Sequence, residues 1–104
     1  MDILGKKDDS LRMLVGELAQ RLPPGSFVVV DHWEADPFAI GLASPRNHGR
    51  LAYVTSDRDI HGRYFMSREL PSDTDLAPFR EAGCDQFEDV NALAQAVALH
   101  LGAA

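Results

Sequence analysis

The chain has one cysteine, Cys84, among its 104 residues. That excludes an intramolecular disulfide framework and any zinc site built on cysteines alone within one chain. The lone thiol reads as a small apolar filler. Long apolar runs are missing as well: no segment approaches the roughly 18 residues of a spanning helix. Met1-Asp2-Ile3-Leu4-Gly5-Lys6-Lys7-Asp8-Asp9 has no apolar stretch behind its charges, so no secretory signal is expected. The expected setting is cytoplasmic, away from membranes. An excess of positive charge is also lacking, since 16 acidic residues outweigh 10 basic ones and leave −6. Such a chain repels phosphate backbones, which argues against nucleic acid and favours a basic protein partner.

The strong chemical signatures are absent too. There is no phosphate-binding Gly-x-x-x-x-Gly-Lys, no dinucleotide Gly-x-Gly-x-x-Gly, no His-Glu-x-x-His and no Gly-x-Ser-x-Gly. A non-enzymatic role without a cofactor is therefore the first expectation. With 45% hydrophobic and 25% charged residues, the chain suits one ordinary domain spanning 1–104.

What is present is organised. Leu11, Leu14, Val15, Leu18 and Leu22 form one helical stripe, started by Asp8, Asp9 and Ser10 and stopped by Pro23-Pro24-Gly25. Strands are expected over 26–33, 38–43, 51–55 and 63–67, joined by turn-forming connectors that suit an antiparallel meander. Along the second, Phe38, Ile40 and Leu42 alternate with the small Ala39, Gly41 and Ala43. The small-residue face, with Ala52 beside it, would either admit a helix closely or lie open to a partner. Residues 68–84 read as a long link with one or two helical turns from Leu76 to Ala82 ending at Gly83, and a short fifth strand is possible around 85–88. Val90, Leu93, Ala94, Val97 and Leu101 form a second stripe, capped by Asp89 and stopped by Gly102. The predicted class is α+β: a four- to five-stranded antiparallel meander with N- and C-terminal helices on one face.

Charge is unevenly spread. Residues 1–68 hold nine acids and nine bases, and 90–104 hold neither, so the whole net charge lies in 69–89. There Glu69, Asp73, Asp75, Glu81, Asp85, Glu88 and Asp89 face Arg80 alone. If unpaired, they would steer a basic protein and speed its association. The alternative is pairing with Arg46 or Arg50 on the second connection, which would pin the loop and contribute roughly 0–1 kcal/mol per pair.

A meander brings its first and third connections to the same end of the sheet. This places Asp31, His32, Glu34 and Asp36 near Asp57, Asp59 and His61, with Trp33 as a candidate interface anchor. His32, Asp57, Asp59 and His61 could hold a divalent metal or support a small hydrolase. The bland alternative is a solvated rim neutralised by Arg58 and Arg63. His100 near the end of the second helix is expected to act only as a cation favourable to the helix dipole. Tyr53 and Tyr64 suit cross-strand packing.

The stretch Val28-Val29-Val30-Asp31-His32-Trp33-Glu34-Ala35-Asp36-Pro37-Phe38-Ala39-Ile40-Gly41 resembles a segment of short, uncharacterised bacterial proteins. In size, acidity and element order the whole chain is similar to immunity proteins of bacterial toxin systems. That resemblance implies a stoichiometric binder covering a basic toxin with a charged, aromatic-anchored surface. Frataxin-like proteins share the helix-flanked sheet, but their acids crowd the first helix, where this chain has only Glu17 inside a balanced set. The expected binding residues are Asp31, Trp33, Glu34, Asp36, Glu69, Asp73 and Asp75. A third possibility is a homodimer formed by an exposed strand pairing with its own copy.

Overall fold

A computed structural model of the chain describes residues 3–30, 36–56, 64–71 and 79–102. After a 3-10 turn at Ile3–Lys6 come helix α1 (Asp9–Arg21), strands β1 (Val28–Val30), β2 (Ala39–Ser44), β3 (Asn47–Thr55), β4 (Tyr64–Pro71) and β5 (Phe79–Phe87), and helix α2 (Val90–Leu101). The strands form one sheet in chain order, every pair antiparallel. This is the predicted α+β meander between N- and C-terminal helices, with five strands among the described residues.

Both helices start where a side chain can take up orphaned amides. Asp8 caps α1, accepting from Ser10 N at 2.9 Å and from Ser10 Oγ at 2.7 Å, and these bonds hold its carboxyl below the usual carboxylate range. Asp89 caps α2, accepting from Ala92 N at 2.8 Å, and Gly102 ends it in the left-handed conformation with φ +76°. The two stripes then share one core. Leu11, Leu14, Val15 and Leu18 of α1 and Leu93, Val97 and Leu101 of α2 close on Ile40, Leu42, Ala52, Val54 and Met66 of the sheet. Arg21 Nε donates to Asn91 Oδ1 at 2.7 Å, tying one helix to the other.

Register decides what each sheet face carries, because residues directly opposite in antiparallel strands share a face. The helix-covered face has the rows Val29–Leu42–Ala52–Arg68–Gly83 and Ile40–Val54–Met66–Asp85, with Tyr64 opposite Phe87. The helices therefore sit on the large-residue side of β2. Ala52, opposite Leu42, belongs to that side and not to the small-residue face where the sequence had suggested it. Ala39, Gly41 and Ala43 lie on the other face and are buried, so they form neither a helix seat nor an open flat surface.

Residues 79–82 are strand and not helical turn. Phe79, Arg80 and Glu81 pair with Pro71, Leu70 and Glu69, so their backbone finds partners on the edge of β4. Gly83 does not stop a helix. It sits at φ +144° beside a register shift in β5, a conformation that a side chain would strain. Leu76, Ala77 and Pro78 lie outside the described residues. β3 begins at Asn47, earlier than expected, because an irregularity after Ala43 lets Ser44 pair with Asn47 around Pro45-Arg46.

His100 also departs from expectation. Its ring is buried, and Nε2 lies 2.9 Å from Leu51 O and 3.2 Å from Glu69 O. Burial pushes its pKa down, so the ring is a neutral donor to two carbonyls instead of a cation on the helix dipole.

Candidate functional site

The sheet face turned away from both helices carries three rows. From the first connection's end they read Ala39–Thr55–Phe65–Gln86, then Gly41–Tyr53–Ser67–Cys84, then Ala43–Leu51–Glu69–Glu81. Small residues on β2 give way to aromatics on β3 and β4 and to polar and acidic groups toward β5. Tyr53 and Phe65 are diagonal neighbours whose rings meet edge to face, with centroids 6.3 Å apart and planes at 78°. Both are half-buried, while Glu81, Cys84 and Gln86 are exposed.

An acid lies toward either end of the aromatic pair. Asp36 marks the end where the first connection returns. Its Oδ1 accepts from Phe38 N at 2.9 Å, and its Oδ2 accepts from the Tyr53 hydroxyl at 3.3 Å. Its carbonyl accepts from Lys7 Nζ at 2.7 Å, which joins this connection to the segment before α1. Burial, then the charge of Asp36 and its hydrogen bond, push the Tyr53 phenol up to about 12. The hydroxyl is therefore a donor and not a base at neutral pH.

At the other end Glu69 and Glu81 are direct cross-strand partners. Four residues along β4 separate Glu69 from Phe65, about 13 Å at strand rise. Burial raises the Glu69 pKa, the Ser67 hydroxyl at 3.3 Å opposes that shift, and the Glu81 charge adds to it. No basic side chain pairs with either glutamate among the described residues. The Cys84 thiol contacts the Glu81 carboxylate, which pushes the thiol's pKa up, so it is not primed as a nucleophile.

Of the residues expected to bind, Asp36 and Glu69 lie toward opposite ends of this face. Asp31, Trp33, Glu34, Asp73 and Asp75 lie outside the described residues, as do His32, Asp57, Asp59 and His61 of the alternative metal rim. Among the described residues no group of three or more His, Cys, Asp or Glu could hold a metal ion. The shared end of the first and third connections is present at its margins, since Ser56 N donates to Phe38 O at 2.9 Å. The other acids of 69–89 divide between roles: Asp89 is a helix cap, and Asp85 lies on the helix-covered face 3.5 Å from Arg68 Nε. The sequence marks Tyr53 for cross-strand packing and does not set Phe65 apart from its neighbours. The alternation of each strand was readable, but their meeting depends on the Thr55–Phe65 register.

Among the described residues no helix is long and apolar enough to cross a membrane. In comparisons with protein-family models, curated proteins and solved structures, none matches this chain.

Proposed function

We propose that this chain is a non-enzymatic protein-binding domain that takes a basic partner on the β4–β5 side of the sheet face turned away from α1 and α2, in the manner of an immunity-type inhibitor of a basic toxin or effector. The observation that carries this reading is the direct opposition of Glu69 and Glu81 with no cation on either among the described residues. Like charges directly opposite on a sheet cost stability, and a lysine or arginine from outside would turn that cost into attraction. The Tyr53–Phe65 pair supplies aromatic area of the kind that dominates interface energy. Asp36 offers a second carboxylate toward the far end.

The test is capture from the source lysate with tagged chain, a salt-step elution and mass spectrometry, alongside a Glu69→Lys/Glu81→Lys variant. A single stoichiometric basic protein held by the native chain and lost from the variant is expected. Charge reversal at Asp73 and Asp75, the acids that follow β4, should slow its association further. A partner retained equally by the variant, or an acidic partner, would sink the reading.

A further inference from the structure

We propose that the groove between the last turns of α2 and the β4–β5 side of the sheet binds a small organic carboxylate carried on an apolar body. The groove, of about 320 Å³, is lined by Arg50, Arg68 and Asp85 together with Met66, Phe87, Leu99 and His100. That volume falls at the lower end of small-molecule sites. It lies on the opposite side of the sheet from Glu69 and Glu81 and is independent of the reading proposed for that face.

The two arginines come together through register. Arg68 is opposite Ala52, and Arg50 stands two residues before Ala52 on the same strand, so the pair are diagonal neighbours on the helix-covered face. Arg50 Nε donates to the carbonyl of His100, which leaves the rest of its fork for a ligand. Among the described residues no carboxylate pairs with Arg50.

Arg68 is less satisfied still. Its Nε is buried without a hydrogen-bond partner, and Asp85 Oδ2 at 3.5 Å is within ion-pair range but too long for a hydrogen bond. Its guanidinium lies over Gly83, close enough that a Cβ built there would be 3.1 Å from Cζ. The side chain as a whole is 40% exposed, so a planar carboxylate in the groove can take the other N–H groups of the guanidinium, whose fork matches two oxygens at once. With His100 neutral, two arginines against Asp85 leave the groove net positive in a chain of −6. Met66, Phe87 and the exposed Leu99 give it an apolar lining that an inorganic anion would not use.

The experiment is an NMR titration of the full chain with benzoate, acetate and inorganic phosphate, following the Arg68 Nε–H and the amides of Gly83, Asp85 and His100. Saturable shifts at these four positions are expected with benzoate, and clearly weaker ones with acetate and phosphate. Arg68→Gln should weaken benzoate about tenfold or more, the loss of one charge-assisted bidentate contact. Asp85→Asn, which removes the repelling charge and leaves the strand intact, should tighten it. An equal response to acetate or a stronger one to phosphate would overturn the amphipathic class. Shifts unchanged by Arg68→Gln, binding weakened by Asp85→Asn, or no saturable response would each overturn the site.

Discussion

His100, in the last turn of α2, holds the carbonyl of Leu51 on β3 through Nε2 at 2.9 Å, and the same nitrogen reaches Glu69 O on β4 at 3.2 Å. One imidazole N–H therefore fixes the end of α2 to two neighbouring strands. Arg50 adds a return bond from β3 to the His100 carbonyl.

Acid should loosen this tie. The folded pKa of His100 lies below its ordinary 6.5, so on acidification the unfolded chain takes up the proton first. The stabilisation is complete above pH 6.5 and is lost as pH falls from there through the folded value. Urea midpoints measured from about pH 8 down to about pH 5 should decline across that window, and His100→Gln, which can still donate, should flatten the decline. An unchanged slope in the variant would show that another group is responsible.

Glu69, raised first by burial and then by the charge of Glu81, yields a prediction of opposite sign. A raised folded pKa means that ionising Glu69 weakens the fold, with stability full below 4.5 and lost as pH rises through the folded value. Glu69→Gln should therefore stabilise the protein at neutral pH by up to about 1 kcal/mol and bring no gain in acid. The same substitution should weaken the basic partner. Thermal melts at both pH values check the first effect.

Two glycines should respond in opposite directions to alanine. Gly16 lies inside α1 with nothing within 4 Å of a new Cβ, so Gly16→Ala should stabilise by roughly 0.4–1 kcal/mol. Gly83→Ala meets both φ +144° and the Arg68 guanidinium, and should cost roughly 1–3 kcal/mol. It should also displace the Arg68 Nε–H resonance. Denaturant titration of the two variants side by side makes the comparison.

The helix-covered core should be intolerant of truncation. Leu42 is fully buried in the core that the sheet shares with both helices, and Leu42→Ala should cost roughly 2–5 kcal/mol through lost transfer and cavity terms. A loss below about 1 kcal/mol, read from urea melts, would mean that the helices do not close on β2 as described.

The helices were legible because their stripes repeat at one period and their ends are marked by Asp8, Pro23, Asp89 and Gly102. β5 was legible only at its end, where a short strand is expected around 85–88, because Arg80-Glu81-Ala82-Gly83-Cys84-Asp85-Gln86 lacks both alternation and β-branched residues. It is a polar edge strand whose partner is supplied by β4, and that pairing is tertiary information. The candidate face was half legible for the same reason. Asp36 could be placed at a connection and Glu69 in an acidic stretch, but only register sets Glu69 against Glu81 and Tyr53 beside Phe65. The neutral state of His100 was hidden too, since its helical position shows a cation's place and only the carbonyls of Leu51 and Glu69 reveal a donor's.

The strands follow one another in chain order, and α2 is made after all of them. Each hairpin can pair as soon as its second strand leaves the ribosome, without waiting for distant chain. The face of Leu42, Val54 and Met66 has no such independence, because α2, which closes part of that core, follows all of the strands. During translation that apolar surface stands open for the time needed to make α2, which is when a nascent-chain chaperone would have most to hold.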